Sequence, residues 1–317
     1  FKMSGTVDVV VDGVVAKDGL GEGPLWDAAR GLLWFVDIRG KKLHRWEYSK
    51  KNEVAGRADG PQLRSYAMPQ MLGCVMLADE SLGTDSLVLG MEDGVYLFDT
   101  VSGEVGRKLI PLPAADMDPP KRFNDGKPGP DGRIWIGTIC HNKESGKAKL
   151  YVSGGSASGP QLLDAEVGTT VSNGLGWSAS GKVFYFVDSP EKCIFAYDTE
   201  ASGGGIANRR VLAHCALEEA PSAVPDGMCV DAEGHIWVAM YGGGCVLRFD
   251  GTTGAKLAKI SLPADRITCP TFGGNDLDEL FVTSGNNGSE QDGNHPGALF
   301  RITGLGVRGV APYKAHL

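Results

Sequence analysis

Asp131-Gly132-Arg133-Ile134-Trp135-Ile136-Gly137-Thr138 reads as a turn feeding a short strand. Asp-Gly suits the positive-φ geometry of a hairpin, and the β-branched and aromatic residues behind it suit a pleated, buried surface. The figure recurs as Gly31-Leu32-Leu33-Trp34-Phe35-Val36-Asp37, Ser86-Leu87-Val88-Leu89-Gly90, Gly181-Lys182-Val183-Phe184-Tyr185-Phe186-Val187-Asp188, Gly234-His235-Ile236-Trp237-Val238-Ala239 and Asp278-Glu279-Leu280-Phe281-Val282-Thr283. Along the chain the six starts lie 55, 46, 49, 53 and 44 residues apart. A second strand follows each run after a Gly- or Asp-containing turn, as in Gly94-Val95-Tyr96-Leu97-Phe98-Asp99 and Cys193-Ile194-Phe195-Ala196-Tyr197-Asp198. A unit of about four short strands cannot bury both faces alone, but such units ranged side by side around an axis can. Six of them account for nearly all 317 residues. The expected fold is therefore all-β: one domain, residues 1–317, a six-bladed β-propeller with four-stranded antiparallel blades. Val7-Asp8-Val9-Val10-Val11 alternates like a strand but precedes the first unit, and is expected to join the last blade and close the ring, removing a free edge.

The composition agrees. With 46 glycines and 17 prolines the chain is punctuated too often for long helices, while 42% hydrophobic residues suffice for a core and exclude disorder as the main state. No linker or composition break divides it into two sandwiches. A formal charge of −8, with no run of Lys or Arg longer than a pair, argues against nucleic acid as the partner. No apolar stretch reaches the ~18 residues of a membrane span, and Phe1-Lys2-Met3-Ser4-Gly5 lacks the charged start and apolar run of a secretion leader. The seven cysteines are odd in number and form no C-x-x-C pair, so they read as reduced thiols. A cytoplasmic protein with a small-molecule partner is expected; the sequence leaves its oligomeric state open.

Loops on one face of a propeller converge on the central channel, so polar residues just ahead of the innermost strands are candidates for chemistry. Three segments place Gly beside a carboxylate or amide upstream of a run: Gly21-Glu22-Gly23-Pro24-Leu25-Trp26, Val171-Ser172-Asn173-Gly174-Leu175-Gly176-Trp177 and Val224-Pro225-Asp226-Gly227-Met228-Cys229. Two carboxylates and an amide oxygen in one channel would make a hard-oxygen site suited to Ca²⁺, Mg²⁺ or Mn²⁺. Taken singly, Asn-Gly and Asp-Gly also serve as plain turns. A fourth segment, Arg122-Phe123-Asn124-Asp125-Gly126-Lys127, could bind a polyhydroxylated or anionic substrate by directional hydrogen bonds, or form a solvated turn.

Other motifs fail on context. Gly176-Trp177-Ser178-Ala179-Ser180-Gly181-Lys182 matches a phosphate-loop pattern, but Val183 and a strand follow where Ser/Thr and a helix are needed. Trp26-Asp27 sits at the head of a strand with no recurring Gly-His partner, and no G-x-S-x-G elbow or zinc-protease histidine spacing occurs.

Together the four polar segments, with Asp131–Thr138 and Phe272-Gly273-Gly274-Asn275-Asp276-Leu277, occur in an order and at spacings that resemble the senescence-marker-protein/gluconolactonase/luciferin-regenerating-enzyme family, whose best-known branch is regucalcin. The resemblance implies a six-bladed propeller with one divalent cation in its channel, calcium first, with zinc, manganese or magnesium as alternatives. By motif, Glu22, Asn173 and Asp226 would be the metal ligands, with Asn124 near the metal, and Arg122, Asn124 and Asp125 would contact substrate. The family's sugar-lactone enzymes often carry an acidic residue soon after a Gly-Thr-Met strand; here Gly137-Thr138-Ile139 leads into Cys140-His141-Asn142-Lys143-Glu144, so Glu144 is the one candidate for that role. The Pro-rich stretch 111–120 is a candidate lid, or a surface loop.

The expected activity is metal-dependent hydrolysis of a cyclic ester, a sugar lactone above all. The cation would polarise the carbonyl or activate water, and Asp226 is the candidate general base. Two other readings use the same site: a calcium-binding regulatory protein with weak hydrolysis, and an aryl-ester or phosphotriester hydrolase.

Overall fold

The computed structural model describes residues 5–48, 63–156, 159–200, 205–288 and 294–317; Phe1–Ser4, read above for a leader, lie outside them. Among the described residues the strands form six sheets around one axis. Blades 1 to 6 span residues 21–67, 72–111, 121–169, 172–214, 224–261 and 267–303, each running from the inner strand outward in chain order. Thr6–Val11 pairs antiparallel with Leu299–Thr303 as the outermost strand of blade 6 and closes the ring as expected. One strand was not foreseen: Lys314–Ala315 lies parallel to the end of Leu72–Ala78, giving blade 2 a fifth strand on its channel side.

The six runs that reveal the repeat are the second strands of the blades. Leu32–Asp37 and Ile134–Cys140 are buried at every position, whereas the outermost strands Leu63–Ala67 and Lys256–Ser261 are mostly exposed. A second strand has a strand on either edge and a blade against either face, so its sequence is nearly continuous hydrocarbon rather than alternating. Six apolar clusters fill the six wedges between neighbouring blades. At the closing wedge Trp26 of blade 1 stacks on Phe281 of blade 6, with ring centroids 5.8 Å apart, and Trp46 and Tyr48 pack around the pair. The turn glycines Gly132 and Gly234 take φ of 80° and 84°, the left-handed geometry their Asp-Gly and Glu-Gly contexts foretell. Among the described residues no helix is long and apolar enough to cross a membrane, and all seven cysteines are free thiols.

The polar segments correct the sequence reading in one respect. They are not loops ahead of the innermost strands; Gly21–Asp27, Lys121–Pro128, Ser172–Trp177 and Val224–Val230 are the innermost strands, and Trp26-Asp27 accordingly ends a strand instead of heading one. Their glycine content mimics turns because every inner strand is broken at one level by a bulge. Pairing with the second strand shifts register between Glu22 and Leu25, Leu72 and Cys74, Phe123 and Gly126, Ser172 and Leu175, Pro225 and Met228, and Ile267 and Cys269. Each break inserts one extra residue, which kinks the strand and re-aims its side chains. Close approach of the strands at this level excludes larger residues. A Cβ on Gly73 would collide with the carbonyl oxygens of Phe123 and Asn124, and one on Gly174 would lie 2.7 Å from that of Asp226.

Candidate functional site

Five of the polar residues singled out in the sequence sit at or beside these bulges. Asn124-Asp125, Asn173-Gly174 and Asp226-Gly227 fall inside the register breaks of blades 3, 4 and 5, and Glu22 is the last paired residue before the break in blade 1. Asn124, Asp125, Asn173 and Asp226 are thereby free of the ladder, and Glu22 stands at its edge. Blades 2 and 6 place only Gly73 and Thr268 at this level, and Thr268 spends its hydroxyl on the carbonyl of Gly21 at 2.6 Å.

A hydrogen-bond chain fixes the orientation of each amide. Arg122 Nη1 donates to Asn124 Oδ1 at 2.7 Å; Asn124 Nδ2 donates to Ser172 O at 2.7 Å and to Asn173 Oδ1 at 2.8 Å. Asn173 Nδ2 donates to Ser189 Oγ at 2.8 Å, and that hydroxyl donates to Pro225 O at 2.7 Å. Because Ser189 gives its proton to a carbonyl, it can only accept from Asn173. The Asn173 amide is thereby locked with its nitrogen outward and its oxygen in the channel. The chain ends on the residue before Asp226, so blades 3, 4 and 5 are stitched together at the site.

The carboxyl groups of Glu22 and Asp226 come within hydrogen-bonding reach of each other although their residues are 204 positions apart. Both residues are 7% exposed. Burial, then the charges of Asp226 and Asp125, raise the Glu22 carboxyl well above the usual range. Asp226 is pushed up to about 8, first by burial and then by Asp125, while Glu22, Arg122 and Lys143 pull it down. Burial brings Arg122 down to about 10 despite the attraction of Glu22. Two buried carboxyls facing each other resist double ionisation until positive charge lies between them. Among the described residues no group of three His, Cys, Asp or Glu side chains is placed to hold a metal. The set here has a different make-up: two carboxylates and the fixed oxygen of Asn173. Those hard, neutral or anionic oxygens fit a divalent cation of the calcium type better than a thiolate-seeking metal.

Arg122 and Asn124 belong to the same constellation. Asp125 does not: it takes the other direction out of the bulge, faces Lys127, and lines a cavity on the far side of the constriction. Glu144 lies exposed, paired with Asn142 in the connection that follows Ile134–Cys140, and the residue of that connection whose charge acts on Asp226 is Lys143. The 111–120 stretch is pinned to blade 3, with the Asp116 carboxylate accepting from Tyr151 Oη at 2.8 Å and pairing with Lys149 Nζ at 2.8 Å. Ser189 escaped the sequence reading. It stands one residue beyond the second strand of blade 4, and only its place next to the Asp188 strand end marks it in the sequence.

A family model described as SMP-30/Gluconolactonase/LRE-like region matches residues 20–286, which takes in all four polar segments. Regucalcin of Oryctolagus cuniculus is 36% identical over 304 residues, covering 93% of this chain and 94% of that protein; regucalcin of Homo sapiens is 35% identical over 304 residues with the same coverage. Among solved structures, a luciferin-regenerating enzyme superposes with a TM-score of 0.84 at 26% identity, covering 99% of this chain and all of the other. A calcium-binding protein, regucalcin, from Agrobacterium tumefaciens gives 0.81 at 28% identity, covering 100% of this chain and 99% of that one. The chain belongs to the SMP-30/gluconolactonase/LRE-like family.

Proposed function

We propose that the protein is a divalent-cation-dependent lactonase, opening a sugar lactone of the aldonolactone type, with Glu22, Asn173 and Asp226 holding the ion. The observation that carries this reading is the meeting of the buried Glu22 and Asp226 carboxyls, with Asn173 tied through Asn124 to Arg122, whose charge acts on both. Calcium is the cation this donor set favours, and a calcium-binding relative shares the fold.

A bound cation would supply Lewis acidity at the lactone carbonyl and charge stabilisation as the ring ester opens. The remaining chemistry belongs to the chain. Asp226, kept ionised when a cation lies beside it, is the carboxylate that would take a proton from the attacking water and return it to the departing ring oxygen. Arg122 is half-buried beside Asn124 and offers a charged donor to substrate oxygens; its bond to Asn124 Oδ1 holds the guanidinium at the site. Asn124 and Asn173 orient without adding charge.

The test is a lactone-opening assay on chelator-stripped protein, followed by proton release and restored with calcium, zinc, manganese or magnesium in turn. Turnover lost with the chelator and regained with a divalent cation supports the reading. Cation binding without turnover of any lactone or ester would instead favour a calcium-binding role for the same oxygens.

A further inference from the structure

Past the bulges, the second halves of the inner strands enclose a separate cavity of about 200 Å³. Its walls include Leu25, Met76, Leu175, Trp177, Val230 and Phe272, all at or beyond the end of the bulge in their strands, so it lies toward the opposite end of the channel. The C-terminal segment closes that end. Gly309 N donates to Leu277 O at 2.7 Å, Lys314 and Ala315 pair with Leu77 and Ala78, and between these anchors Val310–Tyr313 line the cavity, with Tyr313 edge-on to Trp177 at 6.4 Å.

One polar atom in this lining lacks a partner. Asp125 is 5% exposed; its Oδ1 accepts from Gly126 N at 2.7 Å, while Oδ2 has no hydrogen bond. Lys127, the cation that acts on it, gives two of its three ammonium protons to the carbonyls of Leu175 and Met228 and makes no hydrogen bond to Oδ2. A buried oxygen left in this state costs stability unless something supplies a hydrogen bond. Water is a poor filler, because each buried molecule needs about three polar partners and the walls are mainly hydrocarbon.

We propose that this cavity is a second binding site, for a single-ring molecule carrying one hydroxyl group, of which phenol is the simplest. An apolar cavity of about 150 Å³ already accepts a benzene ring, so the space suffices for the ring and its substituent. Trp177, Phe272 and Tyr313 offer aromatic faces and edges for it. A hydroxyl is donor and acceptor at once, so it satisfies Asp125 Oδ2 whether or not the carboxyl carries a proton. The site and the cation centre sit on opposite sides of the constriction, and the charge of Asp125 acts across it on Glu22 and Asp226.

Titration of the intact protein with phenol and with toluene, by calorimetry and by NMR, tests this. Phenol should bind saturably at one molecule per chain, with intermolecular Overhauser effects from its ring protons to Leu175 and Trp177. Toluene, which cannot reach Oδ2, should bind at least about tenfold more weakly. Val75→Phe, which fills the cavity from blade 2, should abolish phenol binding in protein whose thermal unfolding confirms that it folds. Absence of saturable phenol binding, contacts only to other residues, equal affinity for toluene, or undiminished binding to folded V75F would each overturn the proposal. The Overhauser measurement needs no variant, so the question is decided even if V75F fails to fold.

Discussion

The two halves of the channel are built from the same six strands and are chemically opposite. On one side of the bulges stand Glu22, Arg122, Asn124, Asn173 and Asp226, linked by hydrogen bonds and mutual charge. On the other stand thiols, aromatic rings and a lysine satisfied by backbone carbonyls. Asn124 and Asp125 are neighbours in sequence and fall on different sides. The bulge, rather than the composition of a segment, sorts residues into polar and apolar halves, and a one-residue insertion in each inner strand is enough to do so.

Breaking the polar half should give the largest effect. Asp226→Ala removes a ligand and the proposed base together, and should lower kcat for a sugar lactone by about 100- to 10,000-fold at saturating cation. Cys229→Ser in the other half should leave kcat unchanged; equal losses in both variants would erase the distinction between the halves. Ser189→Ala sharpens the comparison by unlocking the Asn173 amide. Cation affinity measured by calorimetry should fall about 10- to 100-fold, the usual penalty for losing a partner behind a ligand, while kcat at saturating cation is largely kept.

Gly73→Ala tests the constriction between the halves. Its methyl group would collide with the backbone of blade 3 beside Asn124, so the thermal midpoint should drop by an amount equivalent to about 1–3 kcal/mol. Gly155→Ala, where a Cβ meets nothing within 4 Å, should be neutral. The polar half also sets a pH dependence. Asp226 is raised to about 8 in the folded chain against about 3.9 when unfolded. Between those values the native state holds a proton that the unfolded state has released, so the stability of cation-free protein should fall as pH rises from ~4 to ~8. A bound cation replaces that proton, and calcium should therefore raise the thermal midpoint more at pH 9 than at pH 5.

Much of this arrangement is legible in the sequence. The second strands announce the propeller because burial on both faces leaves them unbroken apolar runs, and the leading Val7–Val11 segment announces ring closure because it has no partner of its own. Carboxylates and amides set against glycines mark the site for the same physical reason that hides its context. Gly21-Glu22-Gly23-Pro24 has the composition of a turn, yet it is a strand interrupted by a bulge. Nothing local in Asn124-Asp125 tells which side of the constriction each will face, since that depends on the register of pairing with Gly137 and its neighbours. Ser189 and the closing C-terminal segment were beyond reach for a related reason: their roles come from contacts with blades far away in sequence, not from their own chemistry.

The account stands on Glu22, Asn173 and Asp226 sharing one cation, and diffraction from crystals soaked in manganese addresses that directly. The expected result is a single anomalous peak in the channel within about 2.0–2.6 Å of oxygens from all three side chains. A peak elsewhere, or none in the channel at a manganese concentration that supports turnover, would contradict it.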